Sequence, residues 1–160
     1  MRSEREMAEA IQRYGDTVRR LCMVHLKNYA DTEDIFQTVF LKYALTSVSF
    51  DSDEHEKAWL IRVTLNACKD LLKSIFRSRT VSLDELVEQP AQLSGDHREV
   101  LEAVLSLPAR YRDVVYLHYY EEYTAPEIAR ILGKNVNTVY TRLTRAKGLL
   151  REKLGGDGDE

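Results

Sequence analysis

Apolar residues recur at three- and four-residue intervals over most of the chain, the period of one buried helical face. Met7, Ala10, Ile11 and Tyr14 predict a helix over Ser3–Tyr14. Gly15 punctuates it, and Val18, Leu21, Cys22 and Leu26 resume the period over Asp16–Asn28. Asp31–Leu45 follows as a helix with Asp31, Glu33 and Asp34 in its first turn, where carboxylates suit the helix dipole. Its apolar face is Ile35, Phe36, Val39, Phe40 and Tyr43, while Asp34, Gln37, Thr38 and Leu41 share the other side. A leucine among those polar residues favours a partner-docking face over a merely solvated one. Ser47–Glu56 reads as a polar, acidic loop in which Phe50 has no evident burial partner. Lys57–Arg77 predicts a long helix, buried through Leu60, Val63, Ala67, Leu71 and Ile75 or their neighbours Leu65, Cys68 and Leu72. Arg62, Asn66, Lys69 and Lys73 line another face, either solvated or tracking phosphates.

The period then lapses. Arg79–Gly95 is acidic, contains Pro90 and Gly95, and reads as a linker. Val100, Leu101, Val104 and Leu105 restore helical spacing over His97–Leu107, and Pro108 opens a helix over Ala109–Glu121 with Val114, Val115, Leu117 and Tyr119 as its apolar set. Thr124–Lys153 reads as two helices joined by a tight turn. Thr124 and Glu127 form a capping box, and Pro126 lies in the first turn where its missing N–H costs little. Gly133 marks the reversal, and Asn135 or Asn137 caps the second helix. Ile128, Ala129, Ile131 and Leu132 supply the first buried face; Val139, Leu143, Ala146, Leu150 and Leu154 supply the second. Tyr140, Thr141, Thr144, Arg145 and Lys147 occupy the opposite side, as hydroxyls and cations do on a DNA-reading helix of a helix-turn-helix. An ordinary helical hairpin with a solvated basic face is the competing interpretation. Residues 155–160 read as a flexible tail.

The chain has 160 residues, 44% hydrophobic and 31% charged, which suits one domain or two small ones and is too apolar for general disorder. No apolar run approaches a membrane span, and the charged start carries no signal-peptide core, so membrane insertion is not expected. Cys22 and Cys68 sit among apolar residues and read as buried thiols in a reducing cytoplasm. No Cys/His cluster has zinc spacing, and neither metal nor cofactor is expected. The net charge of −3 conceals a sharp partition. Arg62, Lys69, Lys73, Arg77 and Arg79 face only Asp70 within Arg62–Arg79, and Arg142–Lys153 is similarly basic. Between these segments, Asp84, Glu85, Glu88, Asp96 and Glu99 outweigh Arg98.

Three segments, in order, resemble small sigma-70-family RNA polymerase sigma factors of the extracytoplasmic-function type. DTEDIFQTVFLK is similar to the core-binding helix of region 2.2. AWLIRVTLNACKDLLKS is similar to regions 2.3 and 2.4. LPARYRDVVYLHYYEEYTAPEIARILGKNVNTVYTRLTRAKGLL is similar to region 4. The resemblance implies an all-α chain of two small helical domains: region 2 over residues 1–78, an acidic linker over 79–95, region 4 over 96–154, and a tail over 155–160. It implies a cytoplasmic transcription initiation factor rather than an enzyme. Its partners would be core RNA polymerase, through the clamp helices of the largest subunit and the flap, and promoter DNA; an anti-sigma factor is a further candidate. Asp34, Gln37, Thr38 and Leu41 match the clamp-gripping face. Trp59, Arg62, Asn66, Lys69 and Lys73 match the surface near the −10 element, and Val48–Lys57 matches the loop that captures a flipped base. Tyr140, Thr141, Thr144 and Arg145 match base-facing positions for the −35 element, with Thr138, Arg142 and Lys147 as phosphate contacts. This chain departs from the family at Tyr140, where a cation is common, at Lys134, often apolar, and in the density of Asp51, Asp53, Glu54 and Glu56 in the loop. A stand-alone DNA-binding regulator and a helical interaction protein are the alternative classes.

Overall fold

The computed structural model describes residues 1–78 and 102–155, and all regular structure among them is helical. The expected linker, the start of the following helix and the end of the tail lie outside the described residues. The chain divides into two units, residues 1–90 and 91–160.

In the first unit, α1 (Glu4–Leu26) opens on a capping box: the Ser3 hydroxyl accepts from the Glu6 amide, and the Glu6 carboxylate accepts from the Ser3 amide. These donors hold the Glu6 carboxyl below its ordinary range. The expected break at Gly15 does not occur. The helix runs through it because Gly15 is buried against Phe36, whose ring atoms lie 3.6 Å from where a Cβ would sit. Glycine costs a helix interior about 1 kcal/mol relative to alanine, and tertiary packing overrides that local penalty. Lys27, left-handed at φ 55°, ends the helix.

The next helix, α2 (Tyr29–Leu45), begins two residues earlier than its acidic turn suggests, because Asn28 caps it by accepting from the Asp31 amide at 2.8 Å. Its expected apolar face is buried in full. The third helix, α3 (Asp53–Ser78), buries Leu60, Ile61, Thr64, Leu65, Ala67 and Cys68. Thr64, apolar in neither character nor expectation, is satisfied by donating to the Leu60 carbonyl at 2.7 Å. Ala10, Tyr14, Val18, Cys22 and Leu26 of α1 meet Ile35, Phe36, Val39 and Phe40 of α2 and Leu60, Ala67 and Cys68 of α3 in one core. Both cysteines are free thiols inside it. Arg19 clasps α1 to α2, pairing with Glu33 at 3.0 Å while its guanidinium lies 3.9 Å from the Phe36 ring centre.

The second unit contains a short helical segment at 102–105, then α4 (Ala109–Val115), α5 (Ala125–Leu132) and α6 (Val136–Lys153). The helix expected over Ala109–Glu121 changes period: Tyr116–Tyr120 forms one π-helical turn. A wider turn advances the helical phase, which leaves Tyr119 exposed instead of buried and stacks Tyr120 on Tyr116 at 5.4 Å. The hairpin forms as the caps require. Thr124 and Glu127 make their reciprocal box, Gly133 is left-handed at φ 68°, and Asn135 accepts from the Asn137 amide. Val139, Leu143 and Ala146 of α6 are buried; Leu150 is half-buried and Leu154 is exposed, so the stripe fades toward the C-terminus. Val104, Leu107, Tyr111, Val115 and Ala146 form a continuous cluster.

Candidate nucleic-acid and docking surfaces

Burial of the apolar face of α2 turns Asp34, Gln37, Thr38 and Leu41 outward, all of them exposed. Leu41 is 60% exposed, and Leu45, one turn further along, is 62% exposed. The two leucines therefore share a side. Leu45 is missing from the sequence-based set because it ends the helix, but its spacing of four from Leu41 is the signal that includes it. The Thr38 hydroxyl donates to the Asp34 carbonyl at 3.0 Å, which fixes it against the helix.

The segment between α2 and α3 is built around aromatic rings. Phe50 stacks on Tyr43, with centroids 6.1 Å apart and planes within 5°, and meets Trp59 edge-on at 5.7 Å. Its burial partners thus come from the two flanking helices. Arg2 holds this assembly from the chain start. Its amide donates to Ala44 O at 3.0 Å, Nε to Tyr43 O at 3.1 Å and Nη2 to Val48 O at 2.6 Å. Its guanidinium lies 4.6 Å over the Tyr43 ring and 5.2 Å over Phe50.

The acidic residues near this loop also have local partners. The loop ends earlier than expected, since α3 begins at Asp53 and takes Asp53, Glu54 and Glu56 into its first turn, where the dipole favours them. The Ser52 hydroxyl accepts from the His55 amide. Arg13 reaches Asp53 at 3.3 Å and Glu56 at 3.9 Å, and the Tyr43 hydroxyl donates to Glu56. Burial, reinforced by the neighbouring Glu56 carboxylate, pushes the Tyr43 hydroxyl far above its ordinary pKa. The Asp51 amide donates to His55 Nδ1 at 3.1 Å.

Beyond this turn, Arg62, Asn66, Lys69 and Lys73 are all exposed. At 3.6 residues per turn they fall within about 60° of one another around α3. Among the described residues, none of the three cations has an ion-pair partner. Trp59 is half-buried, 6.2 Å from Tyr43, so it belongs to the aromatic cluster at the border of this face.

On α6, Tyr140, Thr141, Thr144, Arg145 and Lys147 are exposed, and Thr138 and Arg142 are half-buried. The structure splits them into two flanks. Thr138, Thr141, Arg142 and Arg145 lie toward α4 and, with Asn137, Arg110 and Tyr111, line an open depression of about 390 Å³. Tyr140, Thr144 and Lys147 occupy the adjoining flank. The Tyr111 ring is buried in the core, Arg110 lies 4.6 Å over it, and the Arg110 and Arg145 guanidiniums beside its hydroxyl hold that group below the ordinary tyrosine pKa. Helical periodicity does not single out Arg110 and Tyr111, because they reach this surface from a different helix. Arg112 is buried and donates to the Leu105 carbonyl at 3.4 Å.

Among the described residues there is no helix long and apolar enough to cross a membrane and no acid, histidine or cysteine group arranged to hold a metal ion.

Residues 10–79 match the family model for Sigma-70 region 2, and residues 97–150 match that for Sigma-70, region 4. The chain is 35% identical over 139 residues to RNA polymerase sigma factor SigV of Bacillus subtilis strain 168, across 84% of this chain and 82% of that protein. It is 28% identical over 164 residues to ECF RNA polymerase sigma factor SigW of the same strain, across 92% of this chain and 88% of the relative. CnrH, solved in complex with the cytosolic domain of CnrY, is similar in structure with a TM-score of 0.69 and 25% identity, covering 98% of this chain and 92% of CnrH. The fold is also that of the sigma factor RpoE solved with the anti-sigma factor NepR from Bartonella quintana, with a TM-score of 0.74 at 20% identity, covering 95% of this chain and 98% of RpoE.

Proposed function

The chain belongs to the sigma-70 family of RNA polymerase sigma factors, and we propose that its two units divide promoter recognition between them. It binds core RNA polymerase, directs it to promoters and initiates transcription there. Residues 1–78 dock the polymerase and read and melt the −10 element, residues 79–95 link the units, and residues 96–154 anchor the −35 element. Asp34, Gln37, Thr38 and Leu41 grip the clamp helices of the largest subunit, and the flap is the second contact. Trp59, Arg62, Asn66, Lys69 and Lys73 serve the −10 element, beside the loop that holds an unstacked base in a pocket. Tyr140, Thr141, Thr144 and Arg145 face base edges, while Thr138, Arg142 and Lys147 set register on phosphates. The protein acts in the cytoplasm, alongside its polymerase, and contributes positioning rather than catalysis. An anti-sigma protein is a further candidate partner; CnrH, similar in structure to this chain, was solved in complex with the cytosolic domain of CnrY.

The observation that carries this assignment is the ordered pair of family matches falling on the two units, each with exposed cations that lack ion-pair partners among the described residues. The test is reconstitution of the full chain with core polymerase, followed by sequencing of the genomic DNA that the complex retains. Promoter-dependent transcripts from a shared pair of elements are expected. A folded chain that fails to bind core enzyme overturns the assignment, and tight specific duplex binding without polymerase favours a stand-alone regulator.

A further inference from the structure

The depression between α4 and α6 is lined by three arginines, Arg110, Arg142 and Arg145, and the guanidiniums of Arg110 and Arg145 lie beside the Tyr111 hydroxyl. No carboxylate lies among its lining residues, and none of the three has an ion-pair partner among the described residues. Convergent like charges repel until an anion sits between them, and guanidinium forks suit the oxygens of a phosphate. Arg110 is also held in place. Its guanidinium packs on the Tyr111 ring, and that ring is fixed in the core with Val104 and Leu107. The Tyr111 hydroxyl adds a donor at the same opening. Thr141 and Arg145 belong both to this opening and to the outward face of α6.

We propose that Arg110 and Tyr111, with Arg142, clamp one backbone phosphate of the duplex read by α6, beside the base-facing Arg145, so that α4 supplies a DNA contact from outside the helix-turn-helix. This rests on the DNA role proposed for α6. The contact is independent of base sequence, sets the register of α6 along the groove, and adds to the salt dependence of binding.

Holoenzyme made with the full chain is titrated against the promoter DNA that it retains, over a range of salt. Arg110→Ala, at an exposed position, is expected to leave thermal unfolding unchanged and to reduce the slope of log K against log salt by about 0.9. A change of that size amounts to roughly 8-fold in affinity between 1 M and 0.1 M salt. The loss is equal for matched and mismatched upstream sequences. Tyr111→Phe gives a smaller loss, with the slope retained. A single uncharged methylphosphonate, moved step by step along the upstream element, has one position that weakens the wild-type complex and has no further effect on Arg110→Ala. If Arg145→Ala weakens binding while Arg110→Ala changes neither affinity nor slope, the clamp is overturned and the role of α6 stands. If neither substitution has an effect, the role of α6 fails as well. Stabilisation of the wild-type chain alone by inorganic phosphate at constant ionic strength, lost in Arg110→Ala and without any change in the DNA slope, identifies a free-anion site and overturns the proposal.

Discussion

Two leucines on α2 give the sharpest test of the docking surface. Leu41 and Leu45 are 60% and 62% exposed in the free chain, on a helix whose other side is already buried. Burying a whole leucine side chain is worth about 1.5–3 kcal/mol, so covering the exposed share of each is worth about 1–2 kcal/mol. If the polymerase covers both, Leu41→Ala with Leu45→Ala removes about 2–4 kcal/mol of binding, a loss of roughly 30- to 900-fold in Kd. Each single substitution gives about 5- to 30-fold. The free protein should scarcely notice, because truncating exposed side chains usually changes stability by no more than about 0.5 kcal/mol. The assay is equilibrium binding of labelled chain to core enzyme, with thermal unfolding of each variant measured alongside. A double variant that unfolds like the wild type yet binds core within about threefold refutes a docking role for this face. A matching fall in thermal stability refutes the premise that the leucines are free of the core.

Other substitutions probe the same construction. Arg2→Ala removes the two guanidinium donors to the Tyr43 and Val48 carbonyls and the cover over Phe50; promoter opening, read by permanganate reactivity of unpaired thymines, should fall several-fold while assembly with core is unchanged. Gly15→Ala places a methyl 3.6 Å from Phe36, an ordinary contact, and should raise stability in thermal unfolding by about 1 kcal/mol; a decrease would show that Phe36 cannot yield. The Glu127 carboxyl is held below its ordinary pKa by the Thr124 amide and hydroxyl. Its stabilising share is therefore present above the unfolded value of about 4.3 and is lost as pH falls through the lower folded value. Glu127→Gln should flatten that part of the stability curve of the second unit, and an unchanged acid limb would show that the carboxylate contributes nothing there.

What could be read directly from residues follows from how local each signal is. The hairpin was legible because its determinants are short-range: a box between Thr124 and Glu127, a left-handed Gly133 and the Asn135 cap. The outward residues of α2 were legible because a wide apolar face leaves little choice about what points away. Gly15 misled because a helix breaker is judged locally, whereas the packing that carries the helix through it comes from Phe36 on α2. The start of α3 misled because Asp53, Glu54 and Glu56 look like loop residues in composition but suit the positive end of a helix. Phe50 and Arg2 find their partners across 7 to 48 positions of sequence, beyond any periodic signal. The basic depression needs α4 against α6, and the π-helical turn that exposes Tyr119 has no signature in an apolar pattern.

The acidic balance of the chain and its proposed affinity for DNA are compatible because several carboxylates are engaged locally while two groups of cations are not. Asp53 and Glu56 are held by Arg13, Glu33 by Arg19, and Glu6 and Glu127 by helix caps. Arg62, Lys69 and Lys73 on α3, and Arg110, Arg142 and Arg145 around the depression, have no such partners among the described residues. At about 0.1 M salt, charges more than about 10 Å apart at the surface are largely screened, so the local sign governs contact with a phosphate. Three cations correspond to a salt slope near −2.7 on a duplex and about −2.1 on a single strand, a modest contribution from either surface alone. Under the proposed assignment, joining both surfaces on one polymerase would convert the second contact into an intramolecular one and multiply the weak terms. Tyr140 fits that division. On the flank away from the depression it offers a ring and a hydroxyl, groups suited to a base edge or a thymine methyl, while the proposed phosphate contact falls to Arg110 and Arg142.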